Sequence, residues 1–171
     1  MPGSLFAWYS LYDLDALADR GVVLSGRIEL RQLTRLREIL HSDRGVIQAN
    51  LKFNRHTDSS VTVDLTFETV LELICQRCLE PLVEQFSERS TLTLSAPGAI
   101  ASEAAKEEIE AVILTDERLN PAALIEDELI MSLPNIPRHA EVDECGSLAQ
   151  SLKALAPDEW SGVGDPALRN N

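Results

Sequence analysis

The sequence lacks the features that mark membrane, secreted and nucleic-acid-coating proteins. Its 171 residues contain no stretch of about 18 consecutive apolar side chains, the length a membrane span needs. The N-terminal residues lack the basic segment and apolar block of a secretory signal. With 15 Lys and Arg against 28 Asp and Glu, the formal charge is −13, which argues against a basic coat on nucleic acid. We therefore expect a cytoplasmic protein with no membrane association.

Cysteine is scarce as well, and its spacing is informative. Three cysteines cannot pair completely, so a disulfide scaffold is disfavoured. Cys75 and Cys78 form a C-x-x-C motif, which in a reducing compartment indicates metal or redox chemistry. The sequence also lacks a Gly-rich phosphate loop and a nucleophile elbow, so nothing in it requires an enzyme.

The composition is that of a folded globular protein. Hydrophobic residues make up 44% of the chain and charged residues 25%, which argues against wholesale disorder. A chain of this length buries roughly 70% of its unfolded surface, enough for one self-sufficient core. We predict a single α+β domain over residues 1–156, with a mobile acidic loop at about 95–110 and a flexible tail over 157–171.

Alternating apolar residues predict the strands. Residues 22–30 are rich in β-branched and aliphatic side chains, and residues 47–53 alternate strictly between apolar and polar. From 61 to 75 nearly every odd position is apolar, and a further strand-like segment follows Pro81. The pattern predicts a twisted antiparallel sheet that could close into a barrel. Its long central hairpin would carry the C-x-x-C motif at the turn.

A few short amphipathic helices are expected to pack on this sheet. Residues 11–18 and 147–155 have short apolar stripes, and residues 31–41 repeat leucine at intervals of three and four. Asn120 followed by Pro121 is typical of a helix N-terminus, and the helix it begins should lie on the sheet.

The cysteine pair needs two more ligands to hold a metal ion in a tetrahedral site. His139 and Cys145 follow the proline-rich end of the last long helix, and with Cys75 and Cys78 they would complete a Cys₃His zinc site. Isolated reduced cysteines are an equally good interpretation. Redox catalysis is weaker, because a redox C-x-x-C generally lies at a helix N-terminus, whereas this pair ends a strand.

Charge is unevenly distributed along the acidic chain. Residues 20–55 carry a local net charge of +5, and a basic stripe of this kind could contact phosphate. A solvated helix face with i,i+4 charge pairs explains the same pattern. Phe53 is the only aromatic residue in the segment, so no platform for stacking bases is visible. The candidate contacts to RNA or a partner are Arg31, Arg35, Arg37, Lys52 and Arg77.

An acidic triplet, Glu126, Asp127 and Glu128, offers a third possibility. Such carboxylates could hold Mg²⁺ for cleavage of a phosphodiester. However, consecutive helical positions point in different directions, and acidic residues near a helix N-terminus are favoured by the helix dipole alone. A metal-dependent ribonuclease is therefore the weakest hypothesis.

Two motifs together resemble a known family. The first is the segment 75–81, Cys-Gln-Arg-Cys-Leu-Glu-Pro, at the end of a long strand. The second is the segment 124–134, Leu-Ile-Glu-Asp-Glu-Leu-Ile-Met-Ser-Leu-Pro, leading to Pro137-Arg-His139. In this order the chain resembles the YceD family of large ribosomal RNA subunit accumulation proteins over most of residues 11–156. Many relatives carry further cysteines after the histidine position, whereas this chain offers only Cys145, so His139 would have to replace a thiolate.

The resemblance implies a non-catalytic factor in the synthesis, processing or stability of 23S ribosomal RNA. Its partners would be ribosomal RNA or a pre-ribosomal particle. On this hypothesis the basic segment and Arg77 contact RNA, while the acidic segment 101–145 binds a basic ribosomal protein. A protein-only adaptor that binds such a ribosomal protein without touching RNA is the alternative.

Overall fold

The computed structural model describes residues 3–56, 60–96 and 110–146. The predicted helix at 147–155, the predicted tail and most of the predicted loop at 95–110 lie outside these residues. No helix in the described part of the chain is both long and apolar enough to cross a membrane.

A five-stranded sheet forms the body of the protein. Its strands, in spatial order, are β2 (Val23–Glu29), β3 (Val46–Arg55), β4 (Val61–Ile74), β5 (Pro81–Ser95) and β6 (Glu110–Ile113). The first four are antiparallel neighbours, whereas β6 runs parallel to β5, so the sheet is mixed. The predicted α+β class is confirmed, but the sheet does not close into a barrel, because β2 and β6 form two separate edges in the described chain.

The predicted long hairpin is the largest feature of this sheet. Strands β4 and β5 pair continuously from Val61 opposite Leu94 to Ile74 opposite Pro81. Alternation sends Val63, Leu65 and Phe67 and the other odd-numbered apolar residues of β4 into the core. The exception to the apolar pattern, Thr69, is buried too, and its hydroxyl donates to the carbonyl of Val46 at 3.3 Å. One polar group on the buried face is therefore satisfied by the neighbouring strand.

Each of the two α-helices starts at the end of a short strand. The N-cap residue of α1, Leu11–Asp19, is Ser10, and that of α2, Pro121–Ser132, is Asn120, which accepts the amide N–H of Ala123 at 3.0 Å. Both starts follow directly on a short antiparallel pair, β1 (Tyr9–Ser10) with β7 (Arg118–Leu119). The predicted N-terminus of α2 is confirmed.

The predicted helix over residues 31–41 is wrong. Two 3₁₀ turns, Leu30–Gln32 and Leu36–Glu38, occupy this segment, and Leu33 between them has an extended backbone. Leu33, Leu36 and Leu40 are nevertheless buried as the spacing predicts. Apolar residues three apart share a face in a 3₁₀ turn as well as in an α-helix, so the pattern could not distinguish the two.

The second turn has its own backbone hydrogen bonds, such as that from the amide of Ile39 to the carbonyl of Leu36 at 2.9 Å, and a carboxylate of α2 binds its N-terminal amides. Oε1 of Glu126 accepts the amide N–H groups of Arg35 at 2.8 Å and Leu36 at 3.0 Å. Its Oε2 accepts from the Arg35 guanidinium at 3.1 Å, and Asp127 forms a second ion pair with that guanidinium. Glu126 is only 6% exposed. The acidic triplet thus supplies a structural anchor that docks α2 on the turn.

Replacing Glu126 with alanine should destabilise the protein strongly. The change leaves two amide N–H groups without their acceptor and the guanidinium without its inner partner, so we expect a loss of about 2–4 kcal/mol in the free energy of unfolding. The matched control is Asp127→Ala, which removes a half-exposed ion pair and should cost less than about 1 kcal/mol. Urea denaturation of both variants measures the difference, and equal losses would contradict the anchoring role.

Candidate metal centre

The C-x-x-C motif forms the turn of the long hairpin, as predicted. The turn is closed by backbone hydrogen bonds from the amide of Cys75 to the carbonyl of Glu80 at 3.0 Å and from the amide of Leu79 to the carbonyl of Cys75 at 2.8 Å. Leu79 reaches this geometry with a φ of 62°, in the left-handed region that glycine favours. The tight turn brings Cys75 and Cys78 to the same side.

The segment after α2 folds back over this turn. The amide N–H of Gln76 donates to the carbonyl of Pro137 at 2.8 Å, which joins the two segments directly. A 3₁₀ turn follows at Val142–Glu144, and the amide N–H of Cys145 closes it with a hydrogen bond to the carbonyl of Val142 at 3.0 Å. This turn brings Cys145 back toward His139 despite the long spacing between them.

The four predicted ligands meet in one cluster. One ligand atom from each of Cys75, Cys78, His139 and Cys145 lies within 4.8 Å of all the others. The three cysteines are buried with Leu82 in a small core separate from the main one, and all three are free thiols. These four residues could therefore bind a metal ion.

The imidazole of His139 is oriented with its acceptor nitrogen toward the sulfurs. Nε2 lies 3.2 Å from the carbonyl oxygen of Pro81, an acceptor only, so this nitrogen carries the proton and donates it. Nδ1 is then unprotonated and lies 3.5 Å from Sγ of Cys78 and 3.6 Å from Sγ of Cys145. A histidine that donates one N–H to a carbonyl and presents its other nitrogen is the usual arrangement at metal sites.

The separations fit a tetrahedral zinc ion. Zinc binds cysteine sulfur at about 2.3 Å and histidine nitrogen at about 2.0–2.1 Å, so tetrahedral angles place the nitrogen about 3.6 Å from each sulfur. The two nitrogen–sulfur distances, 3.5 and 3.6 Å, match this value. Three soft sulfurs and one imidazole also form a donor set that binds zinc in preference to harder cations.

Arg77, which lies in the hairpin turn, bonds to the segment that carries His139 and Cys145. Its Nε donates to Sγ of Cys145 at 3.0 Å, and one terminal nitrogen donates to the carbonyls of His139 at 2.9 Å and Glu141 at 2.8 Å. These three bonds tie the hairpin turn to the segment that carries the other two ligands. The sequence predicts Arg77 as an external contact, because nothing in the spacing shows that its side chain bonds inward.

The surroundings favour ionisation of one thiol and oppose that of another. Loss of solvent raises the pKa of Cys75, but backbone N–H groups of His139, Cys78 and Arg77 more than offset it and lower that pKa to about 5. At Cys145 the loss of solvent dominates and the other two sulfurs add to it, so its pKa is raised despite the bond from Arg77. The surroundings of Cys75 therefore favour its thiolate, the form of cysteine that binds metal ions.

The candidate RNA contacts do not come together. Arg31 pairs with Glu29 at 2.5 Å, Arg35 is bound to α2, and Arg37 is exposed on the second 3₁₀ turn. Lys52 lies on β3 opposite Asp64, which is ten residues along β4 from Ile74 and hence about 33 Å from the turn that carries Arg77. No single basic stripe joins these five residues.

A cluster of exposed aromatic side chains was not recognised in the sequence. Phe6, Trp8 and Tyr12 are 43%, 64% and 82% exposed. The signal was present, because residues 6–12 hold four of the eight aromatic residues of the chain. These residues lie outside the basic segment 20–55, where aromatic side chains would indicate stacking with bases.

Comparison with known proteins identifies the family. Neither a curated protein nor a solved structure matches the chain at a significant level. A family model described as "Large ribosomal RNA subunit accumulation protein YceD" matches residues 63–162, more than half of the chain. The matched region begins in β4 and includes all four residues of the cluster, and the family name implies a role in the accumulation of large-subunit ribosomal RNA. The chain belongs to the YceD family of large ribosomal RNA subunit accumulation proteins.

Proposed function

We propose that this protein is a cytoplasmic, non-catalytic factor for the accumulation of 23S ribosomal RNA, with a structural zinc ion held by its Cys₃His cluster. Membership of the YceD family supports the first part. The observation that carries the second is the position of Nδ1 of His139, at zinc-compatible distances from the sulfurs of Cys78 and Cys145.

Zinc would have a structural task at this place. The two halves of the cluster come from the hairpin turn and from the segment after α2, which are far apart in the sequence. Arg77, the hydrogen bond from Gln76 to Pro137 and that from His139 to Pro81 join the two segments. A four-coordinate ion with no open position would lock both segments into one rigid tip and would leave no site for a reacting water.

The absence of catalysis is supported by the use the protein makes of its acidic triplet. A ribonuclease that depends on Mg²⁺ needs carboxylates that converge on the ion and can reach the substrate. Glu126 is buried and accepts two backbone amides, and Asp127 is paired with Arg35. Both carboxylates are therefore engaged by partners within the protein.

Elemental analysis of the purified protein should find one zinc ion per chain. The variant Cys78→Ser should lose zinc and bind it at least about 100-fold more weakly in competition with a chelator, because one of four ligands is removed. His56→Gln, a histidine outside the cluster, is the control and should retain the metal. Equal zinc content in wild type and Cys78→Ser, or none in either, would reject the zinc site.

Direct contact with RNA is a separate part of the proposal. Arg37 and Lys52 are exposed and can be neutralised without touching the fold, whereas Arg35 and Arg77 cannot. If both contact phosphate, Arg37→Gln/Lys52→Gln should reduce the slope of log affinity against log salt by roughly 1.5 on precursor RNA. The control, Arg89→Gln/Arg138→Gln, changes the net charge equally at two other exposed positions. Identical slopes for both variants would favour the protein-only adaptor.

Cells that lack the gene should accumulate less 23S ribosomal RNA and fewer large subunits. Sucrose gradients and RNA quantification measure both, and expression of the wild-type chain should restore them. Normal large-subunit levels in the deletion strain would exclude the proposed function whatever the metal content.

A further inference from the structure

The aromatic residues of the described chain fall into two groups. Phe53, Phe67 and Phe86 are buried in the sheet. The other four lie within residues 6–12, ahead of and at the start of α1. An aromatic side chain loses a large favourable burial energy when it stays in water, so several exposed ones close together in the chain need an explanation.

The local backbone accounts for their exposure. Tyr9 belongs to the short strand β1, is partly buried against the core, and donates its hydroxyl proton to the carbonyl of Ser4 at 3.0 Å. Pairing of Tyr9 with Leu119 fixes this orientation, and adjacent positions of an extended chain face opposite sides. Trp8 therefore projects away from the core, and Tyr12 lies on the solvent side of the first turn of α1.

A depression of about 330 Å³ adjoins Trp8 and is lined also by Asp116 and Arg118. One lining residue, Asp116, has a left-handed backbone with a φ of 54°, and so does Glu117, the next residue in the chain, with a φ of 56°. Neither is glycine, so both are held in a conformation that side chains other than glycine seldom adopt. Both side chains are exposed, and that of Asp116 lines the depression beside Trp8.

Acidic residues outnumber basic ones in the segment 116–118 that adjoins Trp8. Asp116 and Glu117 have no ion pair with a Lys or Arg within the described residues, and Arg118 lines the depression together with Asp116. Carboxylates beside exposed Trp and Tyr rings repel phosphate but attract ammonium and guanidinium groups, which also bind to the faces of the rings. This combination disfavours single-stranded RNA and favours a cationic polypeptide.

We propose that the aromatic–acidic patch, defined as Phe6, Trp8, Tyr12, Asp116 and Glu117, docks an extended Lys- and Arg-rich segment of a partner protein. The aromatic rings supply the anchors and the two carboxylates select cationic side chains. The inference deepens the proposed function, on which it rests for the cellular setting, by naming the class of partner and the surface that binds it.

The test uses the full chain with Trp160→Phe, which leaves Trp8 as the only tryptophan. A short Lys- and Arg-rich peptide is the probe, and its binding should change Trp8 fluorescence in a saturable way. Trp8→Ala, followed by the anisotropy of labelled peptide, should weaken binding at least about tenfold. Val83→Ala, which truncates an apolar residue 66% exposed elsewhere, is the matched control and should bind as the parent does.

The carboxylates are tested in the same assay. Asp116→Asn/Glu117→Gln keeps the shape of the patch and should weaken binding about tenfold at low salt. Glu38→Gln/Glu88→Gln removes the same charge from two exposed positions elsewhere and should have little effect. If both pairs weaken binding equally, the peptide recognises only the net charge of the protein, and the docking site is refuted.

Other occupants of the patch give different results. A dimer in sedimentation equilibrium that Trp8→Ala dissociates would make the patch a self-interface and overturn the proposal. Saturable quenching of Trp8 by a single-stranded RNA oligonucleotide, with none by the peptide, would assign it to RNA instead. If the peptide binds and needs Trp8, but cells that lack the gene have normal large subunits, the docking site is upheld and only the proposed function is rejected.

Discussion

The fold depends on the uninterrupted pairing of β4 with β5. The two strands form fourteen paired positions, from Val61 opposite Leu94 to Ile74 opposite Pro81. The pairing runs from the core to the cysteine turn and so fixes the position of one relative to the other. Because side chains alternate with a period of two, a shift of one residue would turn the whole apolar set of β4 toward solvent. The register that buries Val63 and Leu71 therefore also decides where Cys75 and Cys78 lie.

Polar side chains of α2 and of the segment after it bind backbone groups elsewhere in the protein. In the middle of α2, Glu126 accepts the backbone amides of Arg35 and Leu36, and beyond the end of the helix His139 donates an N–H hydrogen bond to the carbonyl of Pro81. Each of these side chains satisfies backbone groups that no regular secondary structure satisfies. The helix is thus anchored at its middle, and His139 of the candidate metal centre is held at the hairpin turn.

Electrostatic roles are divided among small regions of an acidic molecule. Arg35 and Arg77 are both used within the protein, the first to dock α2 and the second to hold Cys145 and its segment. The basic residues that remain exposed are scattered over several elements, while the exposed Trp8 and Asp116 line one depression. A net charge of −13 therefore conceals surfaces suited to different partners.

The sequence by itself determined the four strands β2 to β5, the hairpin turn, the start of α2 and the identity of all four cluster residues. These follow from local rules, since alternation, capping residues and ligand type are readable over a few positions. Only the tertiary structure decided that residues 31–41 form two 3₁₀ turns, because the acceptor for their amides is Glu126, which is some ninety residues away. It also decided that Nδ1 of His139 faces the sulfurs and that Arg77 bonds inward. The first outcome requires Pro81 to lie beside His139, and the second requires Cys145 to lie beside Arg77. The two pairs are 58 and 68 residues apart in the chain, so no local pattern encodes their proximity.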